Sequence, residues 1–306
     1  MATTRWKDSY TTAIDAAIDL LTDAVENDDK YSGIRRENWK VNKVFEANKS
    51  ITLFDNKLIY NVIRFSYDKI TSYGADNNII PQNGRIIVYS NNHSLYYIID
   101  KNSDAKQVLR KLLSYTGRNE IDDNGFRFDS DFFLWLINRV YYSNNTIEIT
   151  EENGSELELQ SIKGFSGDTE DSQTKVSASG ESVMNIISTL SFFLESRRLK
   201  QIKLDLKYKT HERIELILKN GTLEVDFKSY LGTYEQEEAD ERIAKLYLMA
   251  YIEIVPILIQ EYRQDIENDL WNKARYVEFM NNVANTLKEK IEAKTKAINN
   301  GLPEIQ

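Results

Sequence analysis

A chain of 306 residues with a formal net charge of −9, no cysteine and two histidines sets limits before any motif is read. Disulfides and thiolate zinc sites are excluded, and an imidazole-based metal cluster within one chain is nearly so. The acidic balance argues against a protein coated in nucleic acid, but leaves room for a local basic patch.

Met1 to Tyr10 lacks the apolar core of a signal peptide, so a cytoplasmic location is the expectation. Three prolines, 12 glycines, 18 tyrosines and many Asn, Lys and Ile suggest an AT-rich bacterial or phage gene. Tyr10 to Val25 predicts an amphipathic helix, with Ile14, Ala17, Ile18, Leu21 and Val25 on one face and Asp15, Asp19 and Asp23 opposite. After a polar break at Asn27 to Lys30, strands are predicted over Lys49 to Leu53 and Leu58 to Phe65, around a turn at Asp55-Asn56. A second hairpin joins Arg85 to Tyr89 with Leu95 to Ile99 through Ser90-Asn91-Asn92. Ser103-Asp104 reads as the cap of a helix through Tyr115, and Asp129 to Tyr142 as a further helix rich in aromatics.

Thr146 to Thr150 and Glu156 to Gln160 flank Asn153-Gly154, a dipeptide suited to a two-residue hairpin turn. Lys163 to Ser182, rich in Gly, Ser and Thr, reads as a loop or linker, and Ser182 to Glu195 as a helix. Three alternating strands follow, over Gln201 to Tyr208, Arg213 to Lys219 and Thr222 to Tyr230, the last two joined at Asn220-Gly221. From Tyr234 to about Asn300 the apolar residues recur at helical spacing, after an acidic onset at Glu235 to Glu241. Gly301 and Pro303 mark its end, and Pro256 predicts a kink or a meeting of two helices. The run Leu246 to Ile259 is apolar on more than one face. It falls short of the ~20 residues that cross a bilayer and holds Glu253 near its centre, so a buried core helix is expected.

The resulting class is α+β: antiparallel, hairpin-rich sheets with flanking helices and a long helical C-terminal segment kinked near Pro256. Three regions are expected, 1–145, 146–232 and 233–306, the last packing on the others.

Three groups of residues could carry chemistry. Asp226-Phe227-Lys228, with Asp205 on a neighbouring strand and Glu181 or Glu195 before it, resembles the acidic-x-Lys site of restriction-endonuclease-like nucleases. Residues i and i+2 share one face of a strand, so two carboxylates could bind Mg²⁺ or Mn²⁺ while the lysine positions water. The same residues suit a solvated sheet face laced with cross-strand ion pairs. Glu120, Asp122, Asn124, Asp129 and Asp131, with Gly125 at the sixth position, resemble a twelve-residue EF-hand loop for calcium. Arg127 at the usually aliphatic eighth position and Glu120 at the first depart from that pattern. The alternative is a polar turn ending in a helix cap at Asp129 or Ser130.

The third group is the basic run of Arg197, Arg198, Lys200, Lys203 and Lys207, continuing to Lys209, Arg213 and Lys219, which could hold phosphates along a sheet edge. A smaller run, Arg35, Arg36, Lys40 and Lys43, surrounds Trp39. His93 and His211 read as surface residues. No nucleophile elbow, dinucleotide-binding glycine motif or His-Glu-x-x-His is present.

The reading that follows is a non-catalytic binding or assembly protein of a bacterial or phage multi-protein system, with phage defence among the settings its composition allows. It would associate with a protein partner or a second copy through its C-terminal helices and contact nucleic acid through the basic edge. No cofactor is expected, and Mg²⁺ or Mn²⁺ enters only under the competing nuclease reading centred on Asp205, Asp226 and Lys228.

Overall fold

Runs rich in β-branched and aromatic residues, such as Ile86 to Tyr89 and Leu95 to Ile99, favour strands, and unbroken apolar runs of this kind suit strands buried on both faces. The computed structural model describes residues 2–23, 29–31, 34–73, 76–101, 103–117, 119–149, 155–169, 175–179 and 196–299. They form an α+β fold with two compact units, each drawing on several separate stretches of chain.

The first unit comprises Met1–Arg127, Gly221–Lys228 and Thr233–Glu253. Its strands are β1 (Thr4–Asp8), β2 (Asp29–Tyr31), β3 (Ile34–Lys43), β4 (Lys49–Leu53), β5 (Asn56–Tyr73), β6 (Asp76–Asn91), β7 (Ser94–Ile99) and β8 (Ile121–Asp123). They make one antiparallel sheet in the order β2-β3-β5-β6-β7-β1-β8, with β4 also paired to β5. One face, through Ile63, Phe65, Tyr67, Ile86, Val88, Leu95, Tyr97 and Ile99, forms a core with α1 (Ile14–Asp23) and α2 (Ala105–Leu112). The opposite face, through Leu58, Tyr60, Val62, Ile87 and Tyr89, is also buried. Helix α4 (Ala239–Met249) is tied to this sheet by the ion pairs Arg64–Asp240 and Lys49–Glu241. Buried side chains of this size contribute roughly 1.5–3 kcal/mol each.

Both predicted hairpins form, with their turns displaced by one residue. Phe54 and Asp55 turn the first, with φ of 46° and 59°, and Asn92 and His93 the second, with φ of 47° and 62°. Two successive positive φ values give the twist that a two-residue hairpin requires. The sequence signal misplaced the turns because Asp55-Asn56 and Ser90-Asn91-Asn92 offer equivalent turn residues just beside the observed ones.

The second unit comprises Phe128–Asn220, Ser229–Gly232 and Ile254–Gln306. The strands β9 (Thr146–Glu148), β10 (Glu156–Thr169), β11 (Lys175–Ser179), β12 (Ser196–Tyr208), β13 (His211–Lys219) and β14 (Thr222–Leu231) form a sheet in the order β11-β10-β12-β13-β14, with β9 on β10. The loop expected over Lys163 to Ser182 is therefore strand to Thr169 and again from Lys175 to Ser179, antiparallel through Gly164↔Ser179 and Asp168↔Lys175. Glycine and serine tolerate extended backbone, and pairing rather than propensity decided the outcome. The turn at Asn153-Gly154, the helix over Ser182 to Glu195, and the stop at Gly301 and Pro303 lie outside the described residues.

Helix α3 (Ser130–Tyr141) starts where Asp129 accepts the Phe132 N–H at 2.8 Å, an N-cap. In the same unit lie α5 (Val255–Glu267) and α6 (Lys273–Asn299). Arg139 of α3 is 5% exposed and reaches Glu261 at 2.8 Å, Asp265 at 3.1 Å, and the carbonyls of Asn144 and Thr146 at 2.9 Å. Trp135 donates to Asp265 as well, at 2.8 Å.

Between α4 and α5 the helix is continuous but passes through a π-helical segment, Ala250–Ile254, immediately before Pro256. This is the irregularity that proline predicted. The whole helix, Ala239–Glu267, spans 29 residues, longer than the apolar run suggested, and is by length and composition apolar enough to cross a membrane. Its most apolar window is 72% buried within the protein, the pattern of a core helix.

Arg139→Ala should lower the urea-unfolding stability by about 3 kcal/mol or more, because two carboxylates and two carbonyls lose one shared donor. A change under about 1 kcal/mol would show that the network is not a load on folding.

Candidate anion-binding cleft

Alternation along β12 sends Ile202, Leu204 and Leu206 into the core and Lys203, Asp205 and Lys207 to the other face. That polar face is a lattice of ion pairs. Lys203 lies 2.6 Å from Glu215, and Lys207 lies 3.0 Å from Glu212, whose hydrogen bond raises the Lys207 pKa. Asp205 is held by Arg213 at 3.2 Å and Lys163 at 3.5 Å. Asp205 and Glu215 are register partners on adjacent strands, 6% and 5% exposed. Like charges directly opposite each other repel, and the three cations around them offset that cost.

The start of β12 differs. There Arg198, Lys200 and Lys219 are exposed and line one cleft of about 610 Å³, together with Asp129, Ser130, Asp131 and Asn220. The Gln201↔Lys219 pairing brings the end of β13 beside the start of β12. Ser130 pins α3 to this strand, its hydroxyl accepting the Leu199 N–H at 2.9 Å. The two carboxylates on the wall are already engaged. Asp129 caps α3, while Asp131 accepts from the Tyr262 hydroxyl and from Trp271 Nε1, the latter at 2.9 Å. Three cations with a hydroxyl and an amide therefore face the cleft, a donor set suited to phosphate oxygens.

The structure thus divides the five predicted nucleic-acid residues. Arg198 and Lys200 line the cleft, Lys203 and Lys207 are paired with acids, and the side chain of Arg197 lies outside the described residues. Lys219 belonged to the wider basic run, while Ser130 and Asn220 carried no sequence signal for this role. Only the register and the start of α3 reveal them.

Of the nuclease triplet, Asp205 sits in the ion-pair lattice of the second unit, its Oδ2 between Arg213 and Lys163. Asp226 and Lys228 belong to the β14 stretch of the first, where Asp226 accepts the Lys228 backbone N–H at 3.0 Å. Glu181 and Glu195 lie outside the described residues. In the calcium-loop stretch, Glu120 accepts the Gly117 N–H at 2.6 Å and Asp122 accepts from Ser9 at 2.7 Å. Residues Ile121–Asp123 pair with β1 as β8, and Asn124 donates its N–H to the Arg5 carbonyl at 3.0 Å. Among the described residues, no group of three or more His, Cys, Asp or Glu is placed to hold a metal ion.

His93 is exposed in its turn. His211, expected at the surface, is instead buried at the head of β13, with Nδ1 2.6 Å from the Tyr230 hydroxyl. Burial, aided by Lys209, lowers its pKa to about 4. The flanking Thr210 and Glu212 hid this from the sequence, since a strand's first residue carries no periodicity of its own. No protein-family model matches the sequence, and no curated protein matches it.

Because folding favours the neutral imidazole, the stability from burying His211 is complete above about pH 6.5 and is lost as pH falls toward about 4. Urea midpoints measured across that window should fall less steeply for His211→Gln than for the parent chain. Parallel curves would contradict the assignment.

Proposed function

We propose that this chain is a non-catalytic binding protein that holds the phosphate backbone of a nucleic acid in the cleft at the start of β12. The observation that carries the reading is the convergence of Arg198, Lys200 and Lys219 on one concave surface whose carboxylates are occupied by other donors. Neighbouring Lys203 and Lys207 are paired with cross-strand acids, whereas in the cleft three cations outnumber the two carboxylates of Asp129 and Asp131. A net charge of −9 keeps such contact local rather than extended over the surface.

Fluorescence anisotropy with a labelled single-stranded oligonucleotide tests it. With about three phosphates neutralised, affinity should drop roughly 20-fold between about 50 and 200 mM salt. The triple variant R198Q/K200Q/K219Q should lose most of the affinity and flatten that dependence. Lys207→Gln, which removes a paired lysine, should bind as the parent does. Equal binding by the triple variant, or none by the parent at low salt, would overturn the reading.

A second reading, assembly through the C-terminal helix, is favoured by the surface of α6. Val277, Ile291 and Ile298 are 49%, 50% and 58% exposed, while Phe279 and Val283 of the same helix are buried. Val277, Met280, Ala284, Leu287, Ile291 and Ile298 follow three- and four-residue steps with one heptad gap, the spacing of a coiled-coil seam. A second copy of α6 would cover this stripe. Lys288 and Lys290 flank it and Lys294 fills its heptad gap, so self-association should strengthen as salt screens their repulsion, opposite to nucleic-acid binding. Light scattering should show a dimer that I291D/I298D converts to a monomer, with its circular dichroism unchanged. A parent chain monomeric at every salt concentration would contradict this.

A further inference from the structure

A second polar concavity lies wholly within the first unit. The β5–β6 face that is apolar at Tyr60, Val62, Ile87 and Tyr89 changes character further along the same strands. The change falls at Arg64, which pairs with Asp240 in the first turn of α4. Beyond it the register sets two rows across three strands: Asn42, Arg64 and Arg85 in one, and Lys40, Ser66 and Asn83 in the next. Alternation puts both rows on one side of the sheet, with strands about 4.8 Å apart. The rows border a cleft of about 340 Å³.

Two arginines directly opposite each other across a ladder are unfavourable unless anions meet them. Arg64 has Asp240. Arg85 has only a 3.5 Å contact from Nε to the buried carboxylate of Asp100, and among the described residues its terminal nitrogens donate no hydrogen bond. Lys40, Asn42 and Asn83 are exposed on the same rim. With Arg64 paired to Asp240, the lining offers Arg85 and Lys40 against the one carboxylate of Asp100, with a guanidinium fork able to bind an oxyanion through two parallel hydrogen bonds. The volume exceeds what a phosphate group fills and matches the low end of small-molecule sites.

We propose that the face formed by β3, β5 and β6 around Arg85 and Lys40 binds a small phosphate monoester of mononucleotide size. Arg85 grips the phosphate, Lys40 supplies charge at the mouth, and the Asn42 and Asn83 amides meet the remainder of the molecule. The site is independent of the cleft on β12, so either can fail without the other.

Isothermal titration at constant ionic strength, with adenosine 5′-monophosphate and with inorganic phosphate as separate probes, tests the proposal. The monophosphate should bind, and inorganic phosphate should bind more weakly because it leaves the rest of the cleft empty. Arg85→Gln should weaken the monophosphate by about 10-fold or more, the scale of a lost charge-assisted hydrogen bond. Should Arg85→Gln unfold by stranding Asp100, the exposed pair Lys40→Gln with Asn83→Asp gives the same readout and should cause a similar loss. Lys219→Gln, in the other unit, should change nothing. Absence of heat with both probes, or parent-like affinity in the rim variants, overturns the proposal.

Discussion

Pro256 has no amide hydrogen, and it stands inside the most apolar stretch of the chain. A helix that must stay continuous there cannot keep its regular ladder, so the turn before the proline widens to a π-helical segment. The first unit uses what that turn releases. The Tyr251 carbonyl accepts from Arg5 Nη1 at 3.1 Å, while Arg5 Nε donates to the Asn124 carbonyl at 2.8 Å and its guanidinium lies over the Phe126 ring. Tyr251 donates its hydroxyl to the Thr3 carbonyl at 3.0 Å, and Thr3 bridges to Leu223. Glu253, 1% exposed, accepts the Phe54 N–H at 2.8 Å and so satisfies a donor in a strained type of hairpin turn. The π-helical segment thus contacts the chain's start, its first hairpin and, through Thr3, β14.

Charge follows a comparable economy. Along the second sheet, each buried carboxylate has cations beside it, and removing one partner there would leave an uncompensated charge. The cations that face concave, solvent-filled surfaces instead lie at the start of β12 and on the polar end of the β3, β5 and β6 face. In both places the acids nearby are committed to protein donors or to a single cation. The two proposals rest on these concave, cation-lined surfaces rather than on the count of basic residues.

Helical spacing and period-two alternation made the elements legible: the Asp129 cap, the aromatic α3, the three strands from Gln201 to Tyr230 and the irregularity before Pro256 all follow from local chemistry. The missed elements were those that tertiary pairing creates. β1 is short, its Thr4 to Asp8 carrying three charges and one tryptophan, and becomes a strand by lying between β7 and β8. The Gly- and Ser-rich end of β10 becomes a strand by pairing with β11 and β12. The candidate cleft was half legible, because Arg198 and Lys200 stand out in composition. Lys203 and Lys207 were indistinguishable from them until the register set Glu215 and Glu212 nearby.

The proposed function is decided by whether a nucleic acid contacts the start of β12. A short single-stranded oligonucleotide bearing a photoreactive group on its backbone, cross-linked to the native protein and mapped by mass spectrometry, measures that directly. The account predicts adducts on the segments holding Ser130, Arg198 to Lys200 and Lys219. Adducts confined to Lys203, Lys207 or the helical C-terminus, with none at those segments, would contradict it.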